Sequence, residues 1–308
     1  MESARIPRPI SLPARIQLGL ALALLVLAAI AWALTDAQMR GMDAGPATAP
    51  GTLAFWLTAW VVMMAAMMFP SIWPMVLMFA RVQSGKRRRG RAAPVGTTAL
   101  FVGGYLVAWA AAGIVAYALI QAGRALDPAA LSWSRAGPYV AGGVIALAAV
   151  YQLTPLKDAC LKRCRSPMMF LMGAWRPGRN GALRMGLEHG GWCVGCCWAL
   201  IAALIALGVM SISWMVFIAA LIAIEKLTPW KKPANRAIAL LLVALGLAVA
   251  FVPEDVPGLT VPGSPEAMEA MGMDPGEGSS PVMDMGPGEN SSPGMGAAET
   301  EGRAEGAR

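Results

Sequence analysis

Charged residues are scarce in this sequence. Of its 308 residues only 14% are Asp, Glu, Lys or Arg, whereas 57% are hydrophobic. A typical soluble domain is about 25% charged and about 45–50% apolar. The chain has too few charges to cover the surface of a soluble particle, which excludes an ordinary soluble globular protein.

Histidine is rarer still, and several motifs of enzymes are missing. The chain has one histidine, and it contains neither a glycine-rich P-loop nor a His-Glu-x-x-His zinc motif. A hydrolytic triad is not expected, because the single histidine stands beside cysteines. No basic segment is interleaved with aromatic residues in the way that suits single-stranded nucleic acid. The sequence therefore predicts neither an enzyme nor a nucleic-acid-binding protein.

Long apolar segments are present instead. About 20 apolar residues cross the hydrocarbon core of a bilayer as a helix. We therefore predict an all-α fold, a polytopic bundle of about seven transmembrane helices surrounded by the lipid bilayer. The first segment could alternatively be a signal peptide cleaved near residues 31–33. The segments run over 16–34, 53–80, 95–121, 137–154, 187–208, 211–228 and 236–252.

Basic residues indicate the orientation of the predicted bundle. They concentrate in the N-terminal tail, residues 1–15, and in the connections 81–94, 155–186 and 229–236. These are alternate connections, so they share one side of the membrane, and cytoplasmic connections carry the excess of Lys and Arg. The N-terminus is therefore predicted to be cytoplasmic, with residues 16–252 as the transmembrane domain.

The C-terminal tail has a different composition. Residues 253–308 hold 11 of the 18 acidic residues but only two basic ones, and they are rich in Gly, Pro, Ser, Glu and Met. Such a segment buries too little apolar surface to offset its ordering entropy. We predict that this tail is disordered and lies outside the cytoplasm.

The single histidine belongs to a cluster with three of the five cysteines. On a helix, His189, Cys193, Cys196 and Cys197 fall within an arc of roughly 100°. Imidazole and thiolates together are ligands for soft or borderline metals, above all Cu(I), with Zn(II) as the less favoured ion. Two other interpretations stay open, a thiol redox site and simple packing of small apolar side chains.

The other two cysteines, Cys160 and Cys164, lie in the basic connection. Their spacing of four residues places them on one face if residues 155–165 are helical. A disulfide is not expected in the reducing cytoplasm, so the pair is a candidate for capturing Cu(I). The alternative is two incidental thiols on an interfacial helix.

A methionine stripe follows the second apolar segment. Thioethers select Cu(I) among common metals, although such a stripe can also be filler of the core. Pro70 and Pro74 are expected to interrupt this helix, as in the broken helices that form sites within transporters. The stripe and the cysteine cluster have similar predicted depths, which permits a shared site. Its candidate metal ligands are Met64, Met67, Met68 and Met75.

Two further features concern packing. The spacing of Gly186 and Gly190, and of Gly191 and Gly195, is the small-xxx-small pattern that lets helices approach closely. At the end of the sixth apolar segment, residues 225–226 are Glu and Lys, and we expect them to form an ion pair at the membrane interface.

Five stretches carry a family resemblance. They are WVVMMAAMMFPS at 60–71, CLKRCRSP at 160–167, the Cys-x2-Cys-Cys stretch at 186–198, WM at 214–215 and EKLTP at 225–229. In these the chain resembles a bacterial family of predicted metal-binding integral membrane proteins of unknown function, often labelled copper chaperones. The resemblance covers about residues 50–235, which it implies are the metal-binding core, and it implies metal handling.

We therefore expect a plasma-membrane protein that binds Cu(I) and takes part in copper handling, delivery or transport. Such a protein exchanges the ion with a copper-donor or copper-acceptor protein. One alternative is a membrane thiol-disulfide oxidoreductase that uses Cys193 and Cys196. Another is a structural subunit of a membrane complex.

Overall fold

The structure is a computed structural model that describes residues 14–39, 50–88, 94–126, 133, 135–209, 211–228 and 231–259. These residues form nine α-helices and one short 3-10 helix. These ranges contain no strand, so the predicted all-α fold is confirmed. The helices are α1 (Ala14–Met39), α2 (Leu53–Arg88), α3 (Thr97–Leu126), α4 (Gly137–Gln152), α5 (Pro155–Arg165), α6 (Pro167–Ala174), α7 (Gly178–Gly208), α8 (Ile212–Leu227) and α9 (Lys231–Phe251).

Five of these helices, α1, α2, α3, α7 and α9, are long and apolar enough to cross a membrane. Helices α4 and α8 match two further predicted segments, but each has only 16 residues. At 1.5 Å per residue this is about 24 Å, less than the hydrocarbon thickness of about 30 Å. Helices α4 and α5 meet at a bend of 69°, and counting them as one span raises the number to six.

Helix α2 is continuous, so the predicted interruption at Pro70 and Pro74 is wrong. Proline removes a backbone hydrogen bond, but prolines are tolerated where neighbouring helices and hydroxyl side chains satisfy the freed groups. Helix α2 packs against α1, α3, α6 and α8.

Helix α7 lies at the centre of the bundle and packs most extensively against α3. A Cβ on Gly190 would lie 2.5 Å from the Cβ of Ala108, and one on Gly186 would overlap the backbone of Phe101. The close approach predicted for Gly186 and Gly190 is therefore confirmed. Gly191 has open space around it and takes no part in this contact.

A short turn joins helices α7 and α8. Gly208 ends α7 with a φ of 110°, a conformation that glycine adopts without strain. The amide of Ser211 then donates to the carbonyl of Gly208 at 3.1 Å. At its other end α7 begins at Gly178, nine residues before the predicted apolar segment, because the helix extends into the basic connection.

The described chain ends with a packed segment. Residues 253–259 include the 3-10 helix, and the carbonyl of Gly258 accepts a hydrogen bond from the Trp214 indole at 2.9 Å. The rest of the predicted disordered tail, residues 260–308, lies outside the described residues. Residues 1–13 of the predicted cytoplasmic tail lie outside them as well.

Candidate metal centre

Four thiols meet where α5 crosses α7. Cys193, Cys196 and Cys197 are fully buried on α7, and Cys164 is supplied by α5. The Sγ of Cys196 lies 3.7 Å from that of Cys164 and 3.3 Å from that of Cys197. The sulfur atoms of Cys164, Cys193 and Cys196 all lie within 4.8 Å of one another. The three cysteines of the predicted α7 cluster thus come together, and Cys164 joins them.

Helix α5 presents Cys164 because the bend after α4 turns it towards α7. The guanidinium of Arg163 stacks over the ring of Trp192 on α7, 4.1 Å from its centroid. The guanidinium of Arg165 donates to the carbonyl of Thr228, just after α8. These two contacts attach the last turn of α5 to both neighbouring helices, which fixes the backbone on either side of Cys164.

Cys160 lies one turn earlier on the same helix and has a different environment. Its side chain is buried, and its Sγ lies 3.0 Å from the place that a Cβ on Gly195 would occupy. Gly195 therefore leaves room for the thiol, and through it for the close approach of α5 to α7. The compact group of sulfur ligands includes Cys164 and not Cys160.

Cys193 receives two polar contacts that the other thiols lack among the described residues. The ammonium of Lys226 donates to its Sγ at 3.1 Å, and the hydroxyl of Tyr105 lies 3.1 Å from the same atom. An ammonium has no acceptor, so the sulfur must accept. Both contacts suit a negatively charged sulfur at Cys193.

The methionine stripe of α2 reaches the thiols through Lys226. Its Nζ also lies 3.6 Å from the Sδ of Met68 and 3.2 Å from the Oγ of Ser71. Met68 is thus separated from Cys193 by a single ammonium. The other candidate ligands of the stripe are buried on the same helix, and their role in metal binding stays a prediction; they are Met64, Met67 and Met75.

His189 lies one helical turn before Cys193, within aromatic rings. Its ring centroid is 5.2 Å from that of Phe170, 5.9 Å from that of Phe101 and 6.1 Å from that of Tyr105. The side chain is 1% exposed, and its Nδ1 has no hydrogen-bond partner among the described residues. The histidine is outside the compact sulfur group. Its role as a ligand therefore stays a prediction.

The expected ion pair between Glu225 and Lys226 is wrong. Both carboxylate oxygens of Glu225 lie 2.8 Å from the Nζ of Lys157, and one accepts from the amide of Gln152 at 2.6 Å. Consecutive residues of a helix point about 100° apart, so each finds its own partner. Glu225 holds α5, whereas Lys226 faces Cys193.

The sulfur group fits a soft metal ion. Three thiolates around an ion with metal–sulfur bonds of about 2.3 Å lie about 4 Å apart, so a group within 4.8 Å needs only a small contraction. Thiolates select Cu(I) or Zn(II) over hard cations. The residues present therefore fit a copper or zinc ion.

Sequence patterns did not identify the two residues that contact Cys193. Lys226 carried a signal, because a charged residue in an apolar helix is costly and usually has a specific partner. The partner itself lies 33 positions away in the chain. Tyr105 carried no signal, since a tyrosine in an apolar helix is an ordinary core residue.

Comparison with known proteins identifies a family. No curated protein and no solved structure is similar to the chain at a significant level. The sequence model of the PpoB2 family, described as a copper chaperone, matches residues 57–249. That stretch includes helix α5, the thiols of α7 and both residues that contact Cys193. The chain therefore belongs to the PpoB2 copper chaperone family.

Proposed function

We propose that the protein binds Cu(I) at Cys164, Cys193 and Cys196 and delivers it to a partner protein. The observation that carries this proposal is the group of three sulfur atoms within 4.8 Å of one another. Such a ligand set suits Cu(I) or Zn(II), and membership of a copper chaperone family favours copper. Binding and delivery need no catalytic step, so the protein is proposed not to be an enzyme.

We further propose that the protein is a multi-pass protein of the bacterial plasma membrane. Helices α1, α2, α3, α4, α7, α8 and α9 would make seven crossings, with the two short ones completed by their flanking residues. The excess of basic residues in alternate connections favours a cytoplasmic N-terminus. In this arrangement α5 lies near the cytoplasmic surface.

Cys164 is the proposed point of exchange with the partner. It is the one thiol of the group that is partly exposed, whereas Cys193 and Cys196 are fully buried. An ion can be held by two or by three thiolates, and the two arrangements differ by one ligand. The partly exposed Cys164 can therefore pass an ion to the buried pair, Cys193 and Cys196. Cys197 and His189, both next to the group on α7, are proposed as further ligands.

Titration of the purified chain tests the copper proposal. The reduced, full-length protein in detergent competes with a chromogenic Cu(I) chelator, beside C164S, C193S and C196S. Loss of an outer-shell partner already costs about 10–100-fold in metal affinity, so each ligand substitution is expected to cost at least about 100-fold. C160S is the matched control, because Cys160 is a buried thiol of the same helix outside the group. A wild-type chain without stoichiometric copper refutes the proposal.

The same preparation separates the alternatives. If the site is a zinc site, bound Zn(II) is expected to remain on the protein after Cu(I) is added. A thiol-disulfide oxidoreductase forms a disulfide that cycles with the potential of a redox buffer, irrespective of metal. The Sγ atoms of the expected pair, Cys193 and Cys196, lie within 4.8 Å of each other, and those of Cys196 and Cys164 lie 3.7 Å apart, so that reaction has two candidate pairs. A structural subunit shows neither metal nor a cycling disulfide.

A further inference from the structure

The ammonium of Lys226 has the surroundings of a bound cation. Its three contacts are the Sγ of Cys193 at 3.1 Å, the Oγ of Ser71 at 3.2 Å and the Sδ of Met68 at 3.6 Å. An ammonium has three donors, and these three atoms use all of them. Two of the three acceptors are sulfur atoms, which are uncommon partners for lysine and good ligands for soft metals.

The adjacent carboxylate does not balance this charge. Glu225 is occupied by Lys157 and Gln152, as described above. The positive charge of Lys226 therefore faces the sulfur of Cys193 and not a carboxylate. Removing the ammonium would leave the Sγ of Cys193 next to a thioether and a hydroxyl, which together form an incomplete shell for a cation.

The ammonium also stands between two sets of candidate ligands. Cys193 belongs to the thiol group on α7 and α5, whereas Met68 and Ser71 belong to α2. An ion that moves from the thiols towards the methionines of α2 by way of Cys193 meets Nζ first. Lysine is able to withdraw, because it is a point charge on a flexible four-carbon stem and the side chain is half-buried.

We propose that Cys193, Met68 and Ser71 form a second soft-metal position, which the ammonium of Lys226 occupies in the metal-free protein. A metal ion enters this position only in exchange for the ammonium. A monovalent ion replaces a monovalent ammonium without a change in the net charge of the buried site, whereas a divalent ion adds a charge that is costly to bury. The exchange thus favours Cu(I) over Zn(II). This inference rests on the proposed function, because the first ion must bind at the thiols.

Counting bound ions tests the exchange. Ag(I), a soft monovalent ion without redox chemistry in this assay, is added to the full-length chain in detergent and counted by native mass spectrometry. The wild type is expected to hold one tightly bound ion. K226L, which is neutral and adds no ligand atom, is expected to bind a second ion at least about tenfold more tightly than the wild type does, since hydrogen bonds to a charged group no longer need to be broken. Adding M68L to K226L should remove this gain.

The matched control is K162L, because Lys162 is an exposed lysine of α5, and this variant should bind as the wild type does. Equal or weaker binding of the second ion by K226L overturns the inference, because Lys226 would then only balance the charge of Cys193. If the wild type and K162L bind no ion at all, the proposed function fails instead.

A measurement on the wild type alone keeps the test independent of how the variants fold. Amine acetylation of Lys226 is followed by mass spectrometry without Ag(I) and with Ag(I) in excess. The inference predicts faster acetylation with excess metal, because the ammonium has left its three acceptors. Unchanged or slower acetylation contradicts it.

Discussion

The ammonium of Lys157 lies 2.8 Å from both carboxylate oxygens of Glu225, and the two side chains are 0% and 1% exposed. This ion pair joins α5 to the last turn of α8. Because α5 supplies Cys164 and α8 supplies Lys226, the pair sets the distance between the two sides of the thiol group. It is a structural element of the site, although the hydrogen bonds of both side chains are to each other and to Gln152 rather than to a thiol.

Breaking this buried pair should destabilise the protein strongly. E225Q leaves the charge of Lys157 buried without a counter-charge, which typically costs about 3–5 kcal/mol in the free energy of unfolding. Thermal unfolding in detergent measures the loss. The control is E188Q, since the Arg176–Glu188 pair has a longer distance of 3.8 Å and both side chains are well exposed, so its loss should cost no more than about 1 kcal/mol. Equal losses in the two variants would contradict the role of the buried pair.

The close contact between α3 and α7 gives a second prediction. G190A places a methyl group 2.5 Å from the Cβ of Ala108, and overpacking of this kind typically costs about 1–3 kcal/mol. G191A is the matched control on the neighbouring position, where space is open and alanine is the better helix former. The melting temperature should fall in G190A and hold or rise in G191A. A fall in both would show that α7 as a whole is intolerant of larger residues.

Tyr105 should matter for metal binding more than for stability. Y105F removes the hydroxyl 3.1 Å from the sulfur of Cys193 and keeps the ring. Loss of such an outer-shell partner costs about 10–100-fold in metal affinity. Y117F is the control, because that hydroxyl donates to a backbone carbonyl away from the thiols. Competition with a Cu(I) chelator measures the copper affinity of both variants. If Y105F and Y117F have identical affinities, Tyr105 does not belong to the site.

The histidine can be tested without disturbing its surroundings. H189F keeps an aromatic ring among Phe101, Tyr105 and Phe170, so the fold should be preserved. A buried nitrogen without a hydrogen-bond partner often marks a missing ion or water, so we expect the Cu(I) affinity to fall by at least about tenfold. An unchanged affinity together with an unchanged melting temperature would assign His189 to packing alone.

The sequence predicted the parts of the site that depend on local periodicity. Consecutive residues of a helix lie about 100° apart, which places Cys193, Cys196 and Cys197 on a common face. The spacing of Cys160 and Cys164 placed them on one face on the condition that residues 155–165 are helical. Which of these last two thiols joins the sulfur group on α7 depends on the 69° bend between α4 and α5. Tertiary packing sets such a bend, and the spacing of residues along a helix does not predict it.

The same limit explains the other differences. Glu225 and Lys226 are neighbours in sequence, and only the positions of α5 and α7 decide that they have separate partners. Pro70 and Pro74 were expected to break α2, but the α-helix continues through both residues, packed against α1, α3, α6 and α8. Contacts between distant helices therefore override what each segment favours alone.

X-ray absorption at the copper edge tests the central claim most directly. Full-length protein loaded with one equivalent of Cu(I) is compared with C164S and with C160S. We predict a first shell dominated by sulfur, with fewer sulfur atoms in C164S and no change in C160S, because Cys164 alone of these two belongs to the sulfur group. A shell of nitrogen or oxygen atoms, or the same spectrum in all three proteins, would contradict the account.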